Sequence, residues 1–299
     1  MSPRARARVQ LLGAATLFST GGAAIKAADF TAWQIASLRS GIAALALLLM
    51  IPAARRELGW RRSGARPRLW PAMLIGLAYA GCLILFVLAN RLTTAANTIF
   101  LQSTAPLYLL VLAPWLLKEP VRRQDLGFML AVGLGLMLFF VGVEAPLGTA
   151  PDPVHGNLLA LASGFFWALA VCGLRWLGSG RARASPLAAV VFGNLIAFFI
   201  SLPYALPLGP HSAGDWSVIV YLGVFQIALA YVLVTRAINH IPALEASVIL
   251  LIEPVLNPIW AWLFQGEVPG AWALVGGVII LGATTAKTWA ERRVAAEPA

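Results

Sequence analysis

Long apolar stretches constrain this chain more than any other feature of its sequence. Ten of them have about 20 residues each, the length at which an α-helix crosses a bilayer. Transmembrane β-strands are excluded because they alternate apolar and polar residues, whereas these stretches are apolar on all sides. The sequence therefore predicts an all-α integral membrane protein with ten transmembrane helices, over residues 9–27, 32–52, 69–90, 94–117, 124–143, 155–177, 186–206, 213–235, 243–265 and 269–289.

The proportion of charged residues excludes a soluble protein. Only 11% of the 299 residues are charged and 60% are hydrophobic, whereas soluble domains have roughly 25% charged residues. The two cysteines, Cys82 and Cys172, are too few for a disulfide framework. The longest polar stretch, residues 53–68, has room for a connector and not for a soluble domain.

The basic residues predict an orientation in the membrane. If the N-terminus is cytoplasmic, 19 of the 22 lysines and arginines fall in cytoplasmic loops or at cytoplasmic helix ends. The positive-inside rule requires this of a chain with both termini in the cytoplasm. The exceptions are Lys26, Arg39 and Arg91. Topology and contact with anionic lipids thus account for the net charge of +10, and no nucleic-acid partner is expected.

The two halves of the chain resemble each other. Pro106 and Pro254 are 148 residues apart, and so are Glu119 and Glu267, as expected of a duplicated unit. Five helices per unit, an odd number, place the second copy upside-down in the membrane, an arrangement that transporters use for alternating access. A cleaved signal peptide is the alternative for the first stretch, but its removal would break this symmetry. We expect two inverted repeats, residues 1–148 and 149–299.

One segment of the second half carries a family resemblance. Residues 223–267 resemble the second repeat of the ten-helix drug/metabolite transporter superfamily, EamA type, and the first half resembles its partner. Within that superfamily the chain is most similar to bacterial exporters of aromatic amino acids. The resemblance implies a central cavity lined by the first, third, fourth, sixth, eighth and ninth helices, with the fifth and tenth outside. The matching dipeptides are Arg236-Ala237, Glu253-Pro254 and Gly266-Glu267.

We expect aromatic and amide side chains to line this cavity. Each of them could instead serve in helix packing. Rings and amides suit an amphipathic, zwitterionic or apolar solute, whereas a phosphate would need a cluster of deep cations that the spans do not supply. The predicted substrate-cavity residues are Phe18, Tyr79, Asn97, Leu101, Gln102, Trp167, Gln226 and Glu253.

Two kinds of residue inside the predicted helices point to a mechanism. Glu253 lies near the middle of the ninth helix, where a carboxylate costs roughly 2.5–3.5 kcal/mol on insertion scales. It could carry a proton, pair with a substrate amine, or anchor the backbone beside Pro254. The matched Pro106 and Pro254 interrupt helical hydrogen bonding. They are candidate gating hinges, and static kinks are the alternative.

Three further charged residues have simpler interpretations. Arg39 lies close enough to the predicted membrane surface to snorkel or to pack with a carboxylate or carbonyl partner, and the alternative is a contact with a substrate anion. Lys26 is expected to anchor a helix end at the interface. Glu245, two residues into the ninth stretch, is expected to be a hydrated surface carboxylate.

Transport is the function that this pattern favours. No nucleotide-binding motif is present, no histidine has a second ligand four residues away, and no catalytic constellation is visible, so we expect neither an enzyme nor a cofactor or metal. The prediction is a monomeric, multi-pass protein of the cytoplasmic (inner) membrane of a bacterium that exports amino acids, aromatic ones and others such as Met, by alternating access. The alternatives are an exporter of drugs or other small metabolites and a membrane channel.

Overall fold

The computed structural model describes residues 1–50, 69–116, 123–141, 147–178, 185–237, 240 and 243–296. Within these ranges the chain is helical apart from short connections and one isolated β-bridge between Leu147 and Ala150. The helices are α1 (Pro3–Ser19), α2 (Gly21–Ala27), α3 (Ala32–Met50), α4 (Leu69–Leu92), α5 (Ala95–Gln102), α6 (Ala105–Leu116), α7 (Arg123–Val141), α8 (Pro153–Gly178), α9 (Pro186–Ala205), α10 (Ala213–Tyr221), a π-helix (Leu222–Leu229), α11 (Ala230–Ala237), α12 (Ala243–Leu250), α13 (Ile252–Gln265) and α14 (Ala271–Ala296).

The all-helical prediction is confirmed for the described residues. Each of the ten predicted stretches is helical over most of its described length. Six helical segments among the described residues are long and apolar enough to cross a membrane, and two shorter helices are also apolar. The count of ten spans and the inverted arrangement stay predictions. Glu119, half of one matched pair that indicated the repeat, lies outside the described residues.

Four of the predicted stretches are interrupted or distorted near their middle. The helix breaks at Thr20 between α1 and α2, at residues 103–104 between α5 and α6, and at Leu251 between α12 and α13. Residues 222–229 of the eighth stretch form a π-helix. Pro106 and Pro254 fall in the first turns of α6 and α13, where a missing backbone N–H costs nothing. The two prolines therefore explain where two of the breaks occur.

Small residues bring the central helices close together. Helix α4 packs against both α8 and α9. At the crossing of α4 and α9, a Cβ on Gly193 would lie 2.5 Å from Tyr79 Cδ1 and 3.0 Å from the Gly76 carbonyl oxygen. Because no side chain separates the two backbones, Tyr79 is packed tightly by the neighbouring helix.

Helices α7 and α14 form a pair at the outside of the bundle. The backbones approach at Gly135 and Gly276, where a Cβ on Gly276 would lie 2.7 Å from the Gly135 oxygen. The other side of α7 exposes a row of large apolar residues, which suits lipid and not water. These exposed residues are Leu126, Leu130, Leu134, Met137 and Val141.

Candidate functional site

A cavity of about 430 Å³ lies between the interrupted helices. The breaks before α6 and α13 and the π-helix all contribute to its wall. Irregular backbone within a membrane protein is tolerated where it lines a cavity or is buried in protein, and transporters often bind substrate at such breaks. The interruptions therefore mark this cavity as the candidate site.

Six of the eight predicted substrate-cavity residues line this cavity, and so do both predicted hinges. These residues come from both halves of the chain and are far apart in sequence. They are Phe18, Tyr79, Gln102, Trp167, Gln226 and Glu253, with Pro106 and Pro254.

The other two predicted residues lie elsewhere. The amide of Asn97 donates to Thr93 Oγ1 and Asn157 Oδ1, both at 3.2 Å, so that this side chain joins α5 to α8 near their ends. Leu101 is completely buried in the apolar core. Both therefore serve in helix packing, which was the alternative for every residue of the predicted set.

An aromatic cluster forms one part of the cavity wall. The ring of Tyr231 lies edge-on to Phe18 at 5.4 Å between centroids and edge-on to Tyr79 at 5.9 Å. Trp167 follows at 6.2 Å from Tyr79. Such geometry is favourable for aromatic pairs, and it gives the cavity a wall on which an apolar or aromatic group can pack.

Two amides bring neutral polarity to the same cavity. Gln102 donates to Ser163 Oγ at 2.8 Å and to Cys82 Sγ at 3.4 Å, which fixes its side chain. Gln226 stands on the π-helix, and its Nε2 lies 3.5 Å from the Phe18 carbonyl oxygen. The Oε1 atom of Gln226 is buried without a partner among the described residues, and it remains free to accept a hydrogen bond from a ligand.

Arg39 is the cation of the cavity, and its placement corrects the snorkelling interpretation. The side chain extends from α3 into the interior, lines the cavity and is only 1% exposed. It donates from Nη2 to the Leu83 carbonyl oxygen at 3.2 Å, so a carbonyl is its protein partner. Arg39 was not among the predicted cavity residues, because the sequence of α3 does not show which way this single cation points.

Glu253 lines the cavity from the first turn of α13. Within the described part of the chain it makes no hydrogen bond and no ion pair, so the anchoring role beside Pro254 finds no support. A carboxylate without a protein partner at the wall of a cavity is available to a proton or to a ligand cation.

A buried ion pair lies at one end of the bundle, here called the outer end because the basic residues predict that it faces away from the cytoplasm. Lys26 Nζ lies 3.0 Å from Glu267 Oε1, with both side chains almost fully buried. Lys26 also donates to the carbonyl oxygens of Thr93 and Thr149, and Glu267 accepts from the Ala95 backbone N–H at 2.8 Å. Lys26 is therefore not the interface anchor that the sequence predicted.

Charged pairs at the opposite end are more exposed. Arg8 donates to Glu245, and this hydrogen bond raises the pKa of the Arg8 guanidinium. Glu245 is thus partly hydrated as predicted, but it is also paired. Lys287 pairs with Asp125 and joins α14 to α7. No group of three or more His, Cys, Asp or Glu side chains that could hold a metal ion occurs within the described ranges.

Comparison with known proteins identifies the family. The sequence profile of the EamA-like transporter family matches twice, over residues 7–141 and 154–286. The chain belongs to this family. Together with its apolar helices, this membership makes it a multi-pass membrane protein.

Two of the similar proteins are exporters by name. The pseudopaline exporter CntI of Pseudomonas aeruginosa is 28% identical over 90% of this chain and 91% of its own. The threonine/homoserine exporter RhtA of Escherichia coli is 26% identical over 70% of this chain and 67% of its own. A chain of known crystal structure is 18% identical with a TM-score of 0.62, over 97% of this chain and 99% of its own, which supports the fold alone.

Proposed function

We propose that this EamA-like chain exports amino acids, aromatic ones and amphipathic ones such as methionine, across the inner membrane of a bacterium. The observation that carries the proposal is the single cavity that holds both an aromatic wall and two opposite charges. Its volume of about 430 Å³ falls within the range of roughly 300–1,000 Å³ that is usual for small-molecule sites. Among the similar proteins, RhtA exports two amino acids.

Alternating access is the mechanism that we propose for this export. The two family matches support a duplicated unit, and the five predicted spans in each unit support an inverted pair. The buried Lys26–Glu267 pair supports a conformation that is closed at the outer end. The cavity wall extends in the other direction to Val234, near the cytoplasmic end of α11. Substrate would thus enter from the cytoplasm and leave after the outer pair separates.

Export of another small metabolite is the second candidate. The similarity to the pseudopaline exporter covers nearly the whole chain, and that protein is named for a different substrate. The cavity is large enough for solutes other than phenylalanine or methionine. A panel of solutes therefore belongs in the first experiment.

Counterflow in proteoliposomes tests the proposal. Vesicles loaded with unlabelled phenylalanine should transiently accumulate labelled phenylalanine, tryptophan or methionine from outside, and threonine and homoserine complete the panel. Trp167→Ala should weaken this counterflow, whereas Trp272→Ala should not, because Trp272 is exposed on the bundle surface. Entry of all three labelled amino acids no faster than in empty vesicles would reject the proposal. Entry without saturation or counterflow would instead indicate a channel.

A further inference from the structure

Arg39 has most of its hydrogen-bonding capacity unused. A guanidinium has five N–H donors, and the structure gives this one a single hydrogen bond, to Leu83, within the described residues. Its Nε is buried without a partner. Arginine is almost never fully buried unless it is paired, because an uncompensated buried charge is costly. A partner for Arg39 is therefore missing from the described protein, and the side chain lines the cavity.

Glu253 supplies the opposite charge at the wall of the same cavity. No ion pair within 4.0 Å joins it to Arg39 or to any other described cation. Two opposite charges thus share a cavity of about 430 Å³ without contacting each other. Gln226 also lines this cavity and adds a hydrogen-bond acceptor, its unpartnered Oε1.

We propose that Arg39 and Glu253 bind the two charges of a zwitterionic α-amino acid. Arg39 holds the carboxylate, since guanidinium and carboxylate form strong charge-assisted hydrogen bonds. Glu253, aided by the Gln226 carbonyl, holds the ammonium group. The substrate side chain then packs against the aromatic cluster of Phe18, Tyr79, Trp167 and Tyr231. This assignment rests on the proposed export of amino acids and names the groups that select them.

The charged residues and the aromatic wall of the cavity should therefore select different parts of the substrate. Arg39 and Glu253 should bind only solutes that carry both a carboxylate and an ammonium group, because an analogue that lacks one of these leaves a buried charge unpaired. The aromatic wall discriminates weakly among side chains, since apolar pockets distinguish solutes poorly. The chain should therefore accept several amino acids but reject close analogues that carry only one charge.

Competition with phenylalanine counterflow tests this selection in the wild-type protein. The competitors are unlabelled phenylalanine, phenylalanine amide, which lacks the carboxylate, and 3-phenylpropionate, which lacks the amine. Each analogue should compete at least about tenfold less well than phenylalanine, in line with the discrimination expected of buried polar groups. Equal competition by phenylalanine and its amide would overturn the assignment of Arg39 and leave the export proposal standing. If labelled phenylalanine, tryptophan and methionine all show no counterflow, export itself is rejected, and the assignment with it.

Variants of the two residues identify which one binds the substrate carboxylate and which one binds the ammonium group. In Arg39→Gln the preference for phenylalanine over its amide should fall to about one, and in Glu253→Gln the preference over 3-phenylpropionate should fall likewise. Arg39→Lys keeps the charge and should retain part of the preference. Arg91→Gln, the same change at an arginine that does not line this cavity, should leave both ratios unchanged. Binding of the three compounds to purified protein, followed by calorimetry, gives the same ratios for variants that no longer transport. Unchanged ratios in Arg39→Gln would overturn the proposal.

Discussion

Buried charges in this protein are of two kinds, and the difference lies in their partners. Lys26 and Glu267 form an ion pair and each also binds a backbone group, so the pair belongs to the structure of the outer end. Arg39 and Glu253 line the cavity, and there neither has a charged partner among the described residues. The same residue types therefore hold the fold together in one place and remain available to a ligand in another.

The buried Lys26–Glu267 pair leads to a prediction about the stability of the protein. Glu267→Gln leaves Lys26 charged and buried without a counter-charge, which should lower the free energy of unfolding in detergent by about 3 kcal/mol. The double variant Lys26→Met/Glu267→Gln should recover part of that loss, since it removes both charges. Asp152→Asn is the control, because the Asp152–His155 pair is exposed and should have little effect. A single variant as stable as the wild type would show that the ion pair does not stabilise this end.

The roles of single residues were hard to predict from sequence where their partners lie far away along the chain. Glu253 was placed in the cavity because a carboxylate in the middle of an apolar span has few alternatives. The partner of Lys26 lies 241 residues away, in a position that one sequence does not reveal. Asn97 and Leu101, which were also predicted to line the cavity, are not among its lining residues, since the short apolar sequence of α5 does not show which residues turn towards the cavity.

At the scale of helices, close approach at glycine positions the cavity wall. A Cβ at residue 193 would lie 2.5 Å from Tyr79, too close for any real contact. Gly193→Ala should therefore push α9 from α4, displace the Tyr79 ring from the cavity and cost about 1–3 kcal/mol. Thermal unfolding and counterflow together measure both effects. Gly133→Ala is the matched control, because nothing lies within 4 Å of its added Cβ. Equal behaviour of the two variants would show that the crossing is not tight.

The interruption between α12 and α13 leads to a prediction about rate. A proline ring at residue 254 clashes with a continuous helix, whereas Pro254→Ala permits α12 and α13 to join. If the break is a hinge, this variant should slow counterflow several-fold and leave phenylalanine binding nearly unchanged. Pro203→Ala, at an exposed proline within α9, serves as the control. A wild-type rate in Pro254→Ala would favour the static kink.

The helices themselves were predictable because their length and apolar composition leave no other structure in lipid. The prolines also indicated two of the breaks. The break at Thr20 and the π-helix that carries Gln226 were not predicted, since no proline marks them. The close contact of Gly21 with Gln226, where an added Cβ would lie 2.8 Å from the amide nitrogen, explains why a small residue follows the first break.

At the scale of the whole molecule, the proposed inverted repeat predicts which residues lie on which side of the membrane. Gly148 and His240 are exposed at opposite predicted ends of the bundle. In right-side-out vesicles, a membrane-impermeant maleimide should label Gly148→Cys but not His240→Cys until the vesicles are opened. The wild-type protein gives the background, because both native cysteines are buried. Labelling of both variants from the same side would contradict the predicted topology.

If one cavity opens alternately to the two sides of the membrane, a cysteine in its wall should be accessible from both sides, and Ser103→Cys supplies one. Ser103 lies at the break between α5 and α6, on the cavity wall. In proteoliposomes of known orientation, an impermeant maleimide should react with this cysteine when added from either side, and phenylalanine should slow both reactions. Reaction from one side only under every condition, or labelling that phenylalanine does not affect, would contradict alternating access through this cavity.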